Sequence, residues 1–366
     1  MAFKVVIIDG YYKHKPLLHP WNMKINLRIQ LFTLLLCLIS GSVSAEESQD
    51  PLLFNDSPLT ESLDVPDWFS LSFLDLNDSL EEARKENKQG MIIYFGRKDC
   101  AYCKALLEGT WGDPSIRDYT KEHFNVISID VRGARTVTDF NYRKWTEKTY
   151  SSHRRMNFTP TLLFYTTKGQ LALKLPGFRP KYQFRAALEY VADAHYMRES
   201  YRDYLSRAEA ALSYGLEELN ENELFIQDAL DLNRYKKTKP LLVSFEHPRC
   251  HACDVLHGDT INQPEVVNQL RNLDIVQINT HSDSTVITPS GKKTTAKQWA
   301  EDLDLTFAPS LVFFDTDGKE ILRIESVVRL YRLSKVLRYI SEKQYLKYPT
   351  FQNWLQHNPK QAESNN

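Results

Sequence analysis

Short, nearly continuous apolar blocks alternate along the chain with amphipathic, charge-studded stretches. Blocks at 91–95, 126–130, 161–165 and 171–175 have the length of strands, as do those at 240–245, 275–279, 311–314 and 320–324. The intervening pattern predicts helices. One spans 80–87 behind Asp78 or Ser79 as N-cap, with a counterpart at 223–232. Others open at the first Cys of each Cys-x-x-Cys, near Pro114 and Pro264, where proline suits a first turn, and around Trp145 and Trp299. Long helices start at about Tyr182 and Leu330. Strands alternating with helices and ending in a strand pair predict α/β units, each with a mixed sheet.

The same order of elements occurs twice. At an offset of 149 to 150, Ile92-Ile-Tyr-Phe95 meets Leu242-Val-Ser-Phe245, and Cys100-x-x-Cys103 meets Cys250-x-x-Cys253. Pro114 meets Pro264, Phe158-Thr-Pro160 meets Phe307-Ala-Pro309, and Trp145 meets Trp299 with a few residues' slack. Tyr201 and Tyr204-Leu205 meet Phe351 and Trp354-Leu355. An ordered set of this kind reads as a duplication. The expected organisation is an upstream extension and leader at 1–45, a linker at 46–64, a first domain at 65–212, a hinge at 213–222, a second domain at 223–358 and a polar tail at 359–366.

The leader alters both the charge and the cysteine count. Residues 31–39 are apolar, Lys24 and Arg28 precede them, and Val43 and Ala45 stand at −3 and −1 of a cleavage site. These are the three regions of a secretory signal peptide, with an apolar core too short to span a bilayer. Met23 makes a better-proportioned start than Met1. The whole chain of 366 residues has net charge −1, and without 1–45 the charge becomes −5, because five basic residues and one acidic residue leave. Neither value points to nucleic acid. Cys37 leaves too, so each of the four remaining cysteines belongs to a Cys-x-x-Cys pair.

A cysteine at a helix N-terminus gains stability as a thiolate from the dipole and the unpaired N–H groups, and the thiolate is the attacking species in disulfide exchange. A second cysteine three residues on can resolve the mixed disulfide. Arg97 and Lys98, and His247, Arg249 and His251, place positive charge around the two pairs, while Asp99 opposes it. Other chemistries use the same residues: half of a zinc site, a soft Cu(I) site, a structural disulfide, or a binding module with little turnover.

These motifs resemble the thioredoxin superfamily in tandem. The residues that carry the resemblance are Cys100-Ala-Tyr-Cys103 and Cys250-His-Ala-Cys253 behind their strands, with Thr159-Pro160 and Ala308-Pro309 before the next strand. The chain looks most similar to bacterial periplasmic thioredoxin-like proteins, including the SoxW-like group. The resemblance implies two thioredoxin-like folds and an exported thiol–disulfide oxidoreductase. Cys100 and Cys250 would attack, and Cys103 and Cys253 would resolve. Pro160 and Pro309 would be cis, with Thr159 and Ala308 docking substrate backbone. The implied partners are exported proteins with thiols or disulfides and a membrane thiol reductant or oxidant. The implied place is the periplasm, with no stable membrane insertion after cleavage. Thiol exchange requires neither metal nor organic cofactor. Departures accompany the match: thioredoxin's buried carboxylate position, six residues before the first Cys, holds Tyr94 and Ser244.

Overall fold

The computed structural model describes residues 50–209, 218–227, 231–234 and 236–358. The leader, Cys37, residues 46–49 and 213–217, and the polar tail lie outside them. No helix among the described residues is long and apolar enough to cross a membrane.

The first domain runs α1 (Leu76–Lys85), β1 (Gly90–Gly96), α2 (Ala101–Lys104), α3 (Pro114–His123), β2 (Phe124–Asp130), the short hairpin β3 (Thr136–Thr138) and β4 (Lys144–Thr146), α4 (Glu147–His153), β5 (Thr161–Thr166), β6 (Leu171–Pro176), α5 (Lys181–Ala192) and α6 (Tyr201–Glu209). Its sheet has the order β2-β1-β5-β6, parallel between β1 and β2 and antiparallel beyond. All seven residues of β1 are buried, because helices cover both faces of this central strand. Its alternate side chains divide between two cores, Ile92 and Tyr94 in one, Met91, Ile93 and Phe95 in the other.

The second domain repeats the plan: β7 (Ile226–Gln227), β8 (Leu241–Glu246), α7 (His251–Val255), α8 (Pro264–Leu270), β9 (Asp274–Asn279), the hairpin β10 (Thr285–Ile287) and β11 (Lys293–Thr295), α9 (Ala296–Asp302), β12 (Ser310–Phe314), β13 (Glu320–Glu325), α10 (Leu330–Ser341) and α11 (Phe351–His357). Its sheet order is β13-β12-β8-β9-β7.

Three expectations change. Helix α1 begins at Leu76, before the predicted start at residue 80, because the Asp75 carboxylate accepts the N–H groups of Asn77 and Asp78 and so caps it. The helix predicted over 223–232 is replaced at its start by edge strand β7, parallel to β9. Asp231 bridges Ile287 as Asp75 bridges Thr138. From Asp231 the chain reaches β8 within ten residues, too few for a counterpart of α1 and its connections. Trp145 lies in β4, whereas Trp299 lies in α9. The true counterpart of Trp299 is Tyr150, at an offset of 149: Tyr150 stacks on Phe95 as Trp299 packs on Phe245.

The domains meet face to face. A β-carbon on Gly177 would fall 2.3 Å from that of Ser326, the residue 149 positions later, so equivalent segments touch. Only glycine fits there, with φ +75° and this close approach. Helix α6 reaches α9 through Arg202 and Glu301, and α11 reaches the first domain through hydrogen bonds from Phe351 N–H to Asn157 and between Asn353 and Ser152. Within residues 50–64 of the expected linker, Leu52 and Asp56 are buried.

Candidate functional site

The two cysteine sites share one local construction. Cys100 and Cys250 are the extended N-cap residues of α2 and α7, and each Sγ accepts the N–H of its partner cysteine at 3.0 and 3.1 Å. The pairs Cys100–Cys103 and Cys250–Cys253 are disulfides, each with Cα atoms 5.1 Å apart. Cys103 and Cys253 are fully buried, while Cys100 and Cys250 are 2% and 5% exposed. Each helix runs on into a wide π turn, at Ala105–Thr110 and Leu256–Thr260. The peptide bonds Thr159–Pro160 and Ala308–Pro309 are cis. In the first site Thr159 Oγ1 lies 3.3 Å from Cys100 Sγ, so the loop and the sulfur touch across 59 residues of sequence. The first cysteine of an opened pair would sit where backbone N–H groups favour a thiolate.

The residues read as charge tuners divide. Arg97 is partly buried and pairs with Asp99 at 2.8 Å, and Arg132 also holds Asp99. Burial lowers the Arg97 guanidinium to about 10, against the opposing pull of Asp99, which still leaves it charged at neutral pH. Lys98 is exposed. His247 Nδ1 meets the Pro248 carbonyl oxygen at 2.8 Å, Arg249 takes a left-handed φ of +57°, and His251 Nε2 lies 2.6 Å from Asp50 Oδ2. Nearby His281 is held below 6.5 by partial burial first and by His247 second.

The surroundings of the two sites differ sharply. Beside Cys250 a cleft of about 790 Å³ opens between the domains, lined among others by His251, Ala308 and Phe307 and, across it, by Gln183 and Leu205. Beside Cys100 the remaining space is about 20 Å³, about room for one water. Arg332 fills the place. Its guanidinium lies 3.3 Å from the Tyr102 ring centre, and Nη2 donates to the Thr159 carbonyl oxygen at 2.7 Å. Tyr102 Oη donates to Asp56 at 2.8 Å and accepts the Arg329 N–H at 2.8 Å. Asp56 also accepts the N–H groups of Tyr331 and Arg332, both at 2.8 Å, and so caps α10, whose own N-cap side chain makes no such bond. Burial and Asp56 push the Tyr102 phenol well up, and burial lowers Arg332 against the pull of Tyr102 and Asp56.

The chain thus contributes two site residues absent from the sequence reading, Asp56 and Arg332. A buried polar cluster also lies on β8, the strand that leads into the second site. Ser244 stands at the position of thioredoxin's buried carboxylate, yet its hydroxyl donates at 2.5 Å to Glu246, a fully buried carboxylate two residues on that also meets His257 at 3.0 Å and Gln277 at 3.1 Å. His257 lies four residues after Cys253, a helical spacing that places it on the same helix face. Among the described residues no group of three or more His, Cys, Asp or Glu is arranged to hold a metal ion.

Residues 76–192 and 226–341 each match the thioredoxin-like domain family. No curated protein matches the chain. Among solved structures it is similar to a thioredoxin-fold protein from Helicobacter pylori, at 27% identity over 34% of this chain and 82% of that one, with a TM-score of 0.29. It is also similar to the C-terminal domain of Neisseria meningitidis DsbD in the reduced form, at 15% identity over 29% and 85% of the chains, with a TM-score of 0.23. A DsbH oxidoreductase matches at 17% identity over 38% and 98%, with a TM-score of 0.23.

Proposed function

Since the chain belongs to the thioredoxin-like domain family twice over, and is a thiol–disulfide oxidoreductase with a cysteine pair in each domain, we propose that it acts outside the inner membrane, in the periplasm, on exported proteins carrying thiols or disulfides. The observation that carries this reading is the repeated geometry: an N-cap cysteine, a buried partner three residues on, and a cis-proline loop, in both domains.

In the reducing direction the Cys250 thiolate attacks a substrate S–S bond. A Cys250–substrate disulfide forms and one substrate thiolate leaves. Cys253, as thiolate, then attacks Cys250 Sγ, closing the Cys250–Cys253 disulfide and releasing the second substrate thiolate. Two electrons pass from the cysteine pair to the substrate, and a dithiol donor, in the cell a membrane thiol carrier, restores the pair. The Cys100–Cys103 pair has the same chemistry available. The backbone at Ala308 and Thr159 is the proposed docking edge for substrate, beside Pro309 and Pro160. No metal or organic cofactor takes part in these steps. The Arg249 guanidinium, which lines the same cleft as Cys250, favours its thiolate.

Insulin reduction in the presence of dithiothreitol tests the reading. The Cys100→Ala/Cys250→Ala variant is expected to fall to the uncatalysed rate while keeping the wild-type circular dichroism spectrum. Undiminished turnover in that variant would exclude disulfide exchange through these cysteines.

A further inference from the structure

The two sites differ at matched positions. Tyr102 in the first inter-cysteine dipeptide stands where the second has Ala252. Arg332, in the first turn of α10, stands where α5 has Gln183, at an offset of 149. The bulky member of each pair closes the first site, and the smaller one lines the cleft of the second. An arginine also bonds near the second loop: Arg179 packs over Phe307 and donates to Thr306, two residues short of Ala308. Ala308 therefore stays part of the open cleft, whereas the Thr159 carbonyl is already bonded.

Building a closure from a buried guanidinium is costly, since Arg332 Nη1 has no hydrogen-bond partner among the described residues. An apolar side chain would fill the same gap with no polar group to satisfy. What arginine adds is a donor aimed at the backbone oxygen of the docking loop. Asp56 holds the donor in place by capping its helix turn and by accepting from Tyr102. Asp50, six residues before Asp56, contacts His251 in the other dipeptide, so residues 50–56 run from the rim of the open site to the closure of the shut one.

We propose that Arg332, held by Asp56 and Tyr102, is a specificity-determining residue: it occupies the backbone-docking oxygen at Thr159, excludes extended polypeptides from Cys100, and directs them to Cys250. This inference rests on the oxidoreductase reading and its use of Thr159 and Ala308 as docking edges. Arg332 acts through occupancy and touches no reacting atom.

The test separates access from turnover. In the fully reduced full-length protein, alkylation by iodoacetamide is followed by mass spectrometry at Cys100 and Cys250. Cys100 is expected to react at least about tenfold more slowly than Cys250. Arg332→Ala and Asp56→Asn are each expected to raise the Cys100 rate while leaving the Cys250 rate unaltered, the latter serving as the check on folding. In a Cys250→Ala/Cys253→Ala background, adding Arg332→Ala is expected to increase insulin turnover through Cys100. Equal reactivity of the two cysteines in the wild-type protein would overturn the closure, even if every variant failed to fold. Faster Cys100 alkylation with no gain in turnover would overturn the specificity role. If Cys250 is accessible yet the wild-type protein reduces no insulin, the oxidoreductase reading fails while the access difference stands.

Discussion

Replacing Cys250 with alanine is expected to reduce insulin turnover by about a hundredfold or more, because the nucleophile of the accessible site is lost. Cys100→Ala is expected to cause the smaller loss. The expectation follows from space rather than from motif, since both motifs share the N-cap geometry. A polypeptide loop that presents a disulfide needs room for its backbone beside the attacking sulfur. The cleft at Cys250 offers about 790 Å³ and the gap at Cys100 about 20 Å³. Steady-state rates for the two single variants, measured with the same dithiol donor, check the order. A larger loss from Cys100→Ala would reverse the assignment of the accessible site.

The second large effect concerns stability. Trp111→Ala is expected to destabilise the first domain by about 3–5 kcal/mol, the range for removing a buried tryptophan. Trp111 is 1% exposed and lies against Trp68, Phe69 and Phe184 with ring centres 5.2–5.6 Å away. Its Nε1 donates to Thr120 Oγ1 at 3.0 Å, and that hydroxyl donates on to the Ile116 carbonyl. Alanine would leave an indole-sized void within the core cluster that contains Cys100, Cys103 and Tyr102. The loss is a large part of the ~5–15 kcal/mol that holds a typical domain folded. Urea denaturation followed by circular dichroism checks it, with Trp111→Phe expected to lose less because most of the ring contacts survive. A shift below 1 kcal/mol for the alanine variant would mean that the neighbouring rings collapse into the space.

The parts of the fold that the sequence announced are those written in local pattern. Strand β1 is a continuous apolar run because both its faces are covered, and the N-cap cysteines follow it directly. Pro160 and Pro309 stood out because two copies carry them at one offset, and the geometry places both beside the cysteine sites as cis bonds. Local pattern misled at Trp145, where matching by residue type replaced matching by position. It misled again at 223–232, where a polar-apolar stretch reads as helical although Ile226 and Gln227 pair with β9 as an edge strand and 228–230 lie outside the described residues. Arg332 and Asp56 were invisible for a different reason. Their bonds to the first site span 173 and 46 residues and follow no period. An arginine in a helix's first turn reads as a solvated charge until the other domain is laid against it. Glu246 was not legible from the carboxylate's usual position, because a strand's same-face neighbour two residues on serves the same buried side.

The most direct measurement is the trapping of a mixed disulfide. Fully reduced Cys253→Ala protein, incubated with excess insulin carrying its native disulfides and analysed intact by mass spectrometry, is predicted to hold one insulin molecule on Cys250, released by dithiothreitol. An accessible Cys250 thiol that forms no such adduct would contradict the account.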